Sequence, residues 1–204
     1  MKESMTFTEK AWSIFEQAVR DYHKTDSINA VAPNPFTPQT IEYDLYRKCW
    51  IDAAQWHMED LIRDPEIDPK EGMELKHRID KSNQDRTDLV ELIDSYFLTQ
   101  FIHVKPLPGA TINTETPAWA VDRLSILSLK IWHMREQADR PDASAEHKER
   151  SMQRLNTLLE QKRDLCGALD TLLDDLAAGR KVMKLYKQMK LYNDPETNPV
   201  LYKK

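Results

Sequence analysis

Residues 151–179 read SMQRLNTLLEQKRDLCGALDTLLDDLAAG. Met152, Leu155, Leu159, Lys162, Cys166, Leu169, Leu173 and Leu176 follow one another in alternating steps of three and four. Leu158, Leu165 and Leu172 run beside them. Such steps keep side chains on one face of a helix that turns every 3.6 residues. The stretch therefore predicts an amphipathic helix with a wide apolar stripe, interrupted by Lys162 and weakened at Gly167. Gly179 stands where a helix-ending glycine belongs. A coiled coil needs such a seam sustained over one long helix, whereas prolines at 33–38, 65–69, 106–117, 141 and 195–199 divide this chain.

Between those prolines, apolar residues recur at helical spacing over 5–24, 39–64, 72–104, 117–139, 142–178 and 180–193, without the sustained alternation of strands. Thr116-Pro117 supplies a capping residue and a proline at the first helical position. The predicted fold class is all-α: a compact, single-domain bundle of about six helices over 1–204. Within it, 180–204 forms a basic helix and a tail that packs back on the bundle.

Composition narrows the function classes. Four glycines in 204 residues are about 2% against a usual ~7%, and none is placed to form a phosphate-cradling loop or a dinucleotide fingerprint. No apolar run approaches the roughly 20 residues that span a bilayer. Glu3 and Glu9 occupy a region where a signal peptide is basic and then apolar, so a cytoplasmic location is expected. Cys49 and Cys166 both fall on apolar faces and are expected to be buried free thiols.

Polar side chains on apolar faces mark where function sits in a bundle, because a buried polar group must find a partner. In the second helix, His57 and Asp60 lie three apart within the half that carries Leu45, Cys49, Ala53 and Trp56. In the third, Asn83 and Arg86 interrupt the line of Leu75, Ile79, Val90 and Ile93. In the fourth, Asp122 and His133 share a narrow sector, flanked by Lys130. The functional reading gathers these seven into one core pocket for a small anionic, phosphorylated or sugar-like ligand. Asn83, Arg86, Asp122, Lys130 and His133 are its binding groups; His57 and Asp60 are acid–base residues or metal ligands. The structural reading instead pairs Arg86 with Asp60 or Asp122 and lets the other groups brace the bundle. Neither the metal nor any cofactor is specified by this pattern.

Other chemistries have weaker support. Glu71-x-x-Glu74 and Glu91-x-x-Asp94 resemble the magnesium-binding carboxylates of all-α nucleotide pyrophosphatases, which makes a metal-dependent hydrolase of that kind an alternative. On one helix, however, Glu74 and Glu91 stand about 25 Å apart, so the quartet needs a chain break near Ser82-Asn83. Glu-x-x-His motifs on two helices, Gly-x-Ser-x-Gly, Cys-x-x-Cys and His-Glu-x-x-His are all lacking.

Arg180, Lys181, Lys184, Lys187 and Lys190 carry five positive charges without an acid nearby, so the rest of the chain carries twice the overall net charge of −5. With Val182, Leu185, Tyr186 and Met189 as an apolar face, this helix is expected to dock on the bundle, on an anionic membrane surface or on a partner protein. An interaction protein that works through 180–190 is therefore the non-enzymatic alternative. Nucleic acid is not expected as a partner, given the acidic remainder.

Longer motifs carry a resemblance. They include Trp56-His57-x-Glu59-Asp60-x-x-Arg63, Asn83-Gln84-x-Arg86-x-x-x-Val90-Glu91-x-x-Asp94 and Thr116-Pro117-Ala118-Trp119 with Asp122-Arg123-Leu124-Ser125-Ile126-Leu127-x-Leu129-Lys130. Gln188-Met189-Lys190-x-Tyr192-Asn193-Asp194 through Asn198-Pro199 completes the set. Together they resemble the bacterial family known as domain of unknown function 4254. The resemblance implies an all-helical, cytoplasmic protein and no particular activity.

Overall fold

The computed structural model describes residues 5–188 and 194–203. In chain order these form α1 (Phe7–Thr25), α2 (Ile41–Leu61), α3 (Pro69–Phe101), β1 (Thr111–Ile112), α4 (Pro117–Asp139), α5 (Ala145–Ala177), β2 (Lys181–Val182) and α6 (Pro199–Tyr202). The all-α bundle stands, and α1 to α5 begin and end within three residues of their expected bounds. Local chemistry sets these ends. Thr6 and Glu9 form a reciprocal capping box at α1, while the Thr40 and Ser144 hydroxyls accept from Tyr43 and His147 amides at α2 and α5. The third helix starts before residue 72. Asp68 accepts from the Lys70 and Glu71 amides and Pro69 takes the first position, which puts Gly72 inside the helix.

The helix expected over 180–193 is not formed in its described part. Gly179 adopts φ 72° and donates to Leu176 O (3.1 Å), while the Arg180 amide donates to Asp175 O (2.9 Å). This is the Schellman closure, and it turns the chain out of helical register. Lys181 and Val182 then pair in parallel with Thr111 and Ile112, a ladder that sequence patterning did not predict, and residues 183–188 are non-helical. The remainder of that expected helix, 189–193, lies outside the described residues. The short α6 buries none of its side chains.

α4 is the central helix. It packs on α1, α2, α3 and most extensively α5, with Ala118, Val121, Leu124, Leu129 and Ile131 essentially inaccessible. Its burial on several sides explains why it is apolar nearly all round. The break at Lys162 in the α5 stripe also has a cause: its ammonium lies over the Trp12 ring of α1, 4.1 Å from the centroid. Asp170 of α5 accepts from the Thr8 hydroxyl at 2.6 Å, a second polar tie between the two helices. Among the described residues, no helix is long and apolar enough to cross a membrane.

Candidate functional site

The most deeply buried charges come from α2, α3 and α4. Lys48, wholly inaccessible, places Nζ 2.5 Å from Asp52 Oδ2 and 2.7 Å from Asp122 Oδ1. Arg86 reaches the same two carboxylates. Nη2 is 3.2 Å from Asp122 Oδ1, and Nε is 2.6 Å from Asp52 Oδ1, an ion contact without hydrogen-bond alignment. The Ser125 hydroxyl donates to Asp52 Oδ2. Two cations and two anions thus form a closed square with no net charge. Burial works against the Arg86 charge, but Asp52 and Asp122 outweigh it and hold the guanidinium protonated more firmly than usual. The polar seam continues between α2 and α3, where Gln55 donates to Asn83 Oδ1 (2.9 Å) and Ser82 donates to Gln55 Oε1 (2.8 Å).

Two clefts open beside this square and share Trp56 and Asp60. One, of about 340 Å³, has Asp52, Arg86, Glu59 and Arg63 around its floor and rim. The other, of about 470 Å³, is lined by Tyr22 and His23 of α1 and Asp26 just after it, by His57 and Leu61 of α2 and Asp64 beyond it, and by His133 and Glu136 of α4. The second cleft therefore sits where the C-terminal turns of three helices converge. Among the described residues, its lining holds four carboxylates and three imidazoles, with no lysine or arginine.

Hydrogen bonds orient its side chains. The Tyr22 hydroxyl is 3.0 Å from His57 Nδ1, and Asp26 Oδ1 lies 3.7 Å from the same nitrogen. Burial, with Asp26 acting in the same direction, pushes the Tyr22 phenol up to about 12, so it stays protonated. His23 Nδ1 is 2.7 Å from Val19 O. His133 stacks on Trp56 with centroids 5.0 Å apart, and His23 stacks on Trp132 at 4.7 Å. Trp132 Nε1 donates to Glu136 Oε1, and His133 Nδ1 lies 2.9 Å from Glu136 Oε2.

The seven residues expected in one pocket divide into four settings. Arg86 and Asp122 belong to the charged square, and Asn83 to the seam beside it. His57, Asp60 and His133 line the second cleft, where His57 pairs with Tyr22 rather than with Asp60. Asp60 is exposed beside Arg63, not bound to Arg86. Lys130 is exposed on a groove of about 1210 Å³ between α4, α5 and residues 182–188, which Asp122 also lines. Of the two pairings weighed for Arg86, the one with Asp122 forms. Sequence reasoning missed Lys48, Asp52, Gln55 and Ser125 in the interior, and His23 and Glu136 in the cleft.

The pyrophosphatase-like quartet does not assemble. α3 runs unbroken through Ser82-Asn83, which keeps Glu74 and Glu91 about 25 Å apart. Asp94 is buried against Thr116 and Ala118 at the start of α4. Burial holds its carboxyl above the usual range, although the Thr116 hydroxyl and Ala118 amide act in the other direction. The membrane-docking helix also loses its basis over 180–188, since a helical apolar face needs a helix. Cys49 is a buried free thiol as expected, pushed up to about 12 by burial and by Asp52; Cys166 is half-buried and free.

No curated protein and no solved structure matches the chain. A family model does match, over residues 42–185, a span that takes in the charged square, Trp56, His57, Asp60, His133 and Glu136. The chain belongs to the family described as protein of unknown function (DUF4254).

Proposed function

We propose that the protein binds a small, sugar-like polyol across the two clefts that meet at Trp56. The observation that carries this reading is the placement of the Trp56 indole between two cavities, the first lined by carboxylates and two guanidiniums and the second by carboxylates and imidazoles. The C–H face of a sugar ring is apolar and packs on an indole, while its hydroxyls donate to carboxylates and exchange hydrogen bonds with imidazole. Asp60, on the rim of both clefts, accepts from ligand hydroxyls. His57, held by Tyr22, is the proton-handling group, and His133 contributes its ring edge beside Trp56. Arg86, in the lining of the first cleft, acts with Asn83 and Asp122 to fix α2, α3 and α4 relative to one another.

A phosphorylated ligand is the second reading, favoured by Arg63 and Arg86 at the first cleft. Both guanidiniums already have carboxylate partners, and the second cleft is acidic, so a free anion gains less there than a neutral polyol.

Calorimetric titration of the full chain with neutral hexoses and with their phosphates tests both readings. Saturable binding of a neutral sugar is expected, weakened about tenfold or more in Asp60→Asn, the loss of a charge-assisted hydrogen bond of about 1.5–3 kcal/mol. Trp56→Ala is expected to weaken it further. Binding of phosphates alone would establish the second reading; binding of neither class overturns both.

A further inference from the structure

We infer that the second cleft holds a divalent transition-metal ion, ligated by His23 of α1 and by His133 and Glu136 of α4. One ligand atom from each lies within 4.8 Å of those of the other two. A tetrahedral zinc sets its ligands about 3.3 Å apart, so the three groups draw closer together on binding. Two imidazoles and a carboxylate form a borderline donor set suited to zinc and its neighbours rather than to magnesium or calcium. Three protein ligands also leave one position of a tetrahedral ion for water or a bound group.

The surroundings of each ligand point the same way. A carbonyl oxygen only accepts, so the contact of His23 Nδ1 with Val19 O fixes the proton on Nδ1 and leaves the Nε2 lone pair free. Trp132 holds Glu136 Oε1, which leaves Oε2 toward His133, and a cation there takes the place of the proton these two groups share. The stacked indoles of Trp132 and Trp56 restrict the two imidazole rings.

Electrostatics supply an independent argument. The last turns of α1, α2 and α4 all face this cleft, and each helix C-terminus presents roughly half a negative charge. The last turns of α2 and α4 carry no basic residue to offset it, and Lys24 of α1 points to solvent in a pair with Asp21. Asp26 and Asp64 add to the same field, and Asp60 does so less because Arg63 pairs with it. The field in this cavity thus favours a cation.

The metal ion shares the cleft with the proposed polyol but does not depend on it, and the test uses the metal alone. Chelator-treated full chain is titrated with Co²⁺ and with Zn²⁺, followed by calorimetry and by the visible absorption of cobalt. One ion per chain is expected, with a low-symmetry cobalt spectrum that Zn²⁺ abolishes. Affinity is expected to fall at least 100-fold in His23→Ala and in Glu136→Gln, and to stay within twofold in His77→Ala on the exposed face of α3. Glu136 is half-exposed, so Glu136→Gln keeps the fold even where a histidine variant loses it; circular dichroism checks each variant. Absence of stoichiometric binding, or unchanged affinity in Glu136→Gln and His23→Ala, overturns the metal site. Polyol binding that persists in metal-free protein leaves the functional reading standing by itself, and metal binding without polyol binding does the converse.

Discussion

Lys48 is a long cationic side chain with no access to solvent, and it is tolerated because two carboxylates and a guanidinium complete its surroundings. Removing one member leaves the others with unbalanced charge inside the protein. Lys48→Met keeps the volume but strands Asp52 and Asp122 with a single cation. It is expected to cost about 3–5 kcal/mol in chemical denaturation, whereas Lys130→Met on the exposed groove stays within about 0.5 kcal/mol. A Lys48→Met protein of unchanged stability would show that the square contributes little. The sequence concealed this residue for a physical reason. Lys48 and Asp52 are opposite charges four apart, the usual appearance of a solvated pair on a helix surface. Only burial of α2 from three sides, by α1, α3 and α4, turns that pair inward. His23 and Glu136 escaped notice differently: each is an ordinary polar residue in a last helical turn until two distant helix ends are brought together.

At the scale of elements, what was legible is what local chemistry dictates. Pro117, Gly179 and the leucine stripe of α5 each contain their own explanation, and the corresponding helices end close to where expected, although the Thr116 hydroxyl makes no capping bond at α4. Over 180–188 the expected helix is not formed because Gly179 does more than end α5: it turns the chain onto the β1 ladder. That glycine has a second duty. A Cβ built on it lies 2.6 Å from Lys105 O, so the loop after α3 passes against bare backbone. Gly179→Ala is expected to cost roughly 1–2 kcal/mol from its positive φ alone, and more from that clash. Thermal denaturation measures this; a melting temperature equal to that of the parent would mean that the loop and the helix end separate freely. Gly167→Ala, with open space around its position, provides the comparison.

Across the whole molecule, polar function and packing are divided by depth. α4 supplies both, with its Asp122 end in the charged square and its His133 end in the open cleft. A neutral interior next to an acidic cavity is a sensible division: the square fixes the helices, and the cavity retains unspent charge. The residues expected in a single pocket from helical projections are spread over several settings. Projection places residues around one helix, but depth along the axis and the choice of neighbour come only from the fold.

The two-residue ladder between β1 and β2 joins positions about 70 apart, across the whole α4–α5 hairpin. Closing so long a loop for so few hydrogen bonds is unfavourable until the hairpin has already brought the ends together. The ladder is thus a late event in folding and the first to open. The amides of Leu107 and Thr111, bonded to Gly179 O and Arg180 O, are expected to exchange with solvent well ahead of those in α4. Exchange as slow as in α4 would show that the ladder is part of the cooperative core. In a growing polypeptide the consequence is one of timing: β2 emerges after all five long helices, so the broad groove beside α4 gains its third wall only when the rest of the bundle is ready to fold.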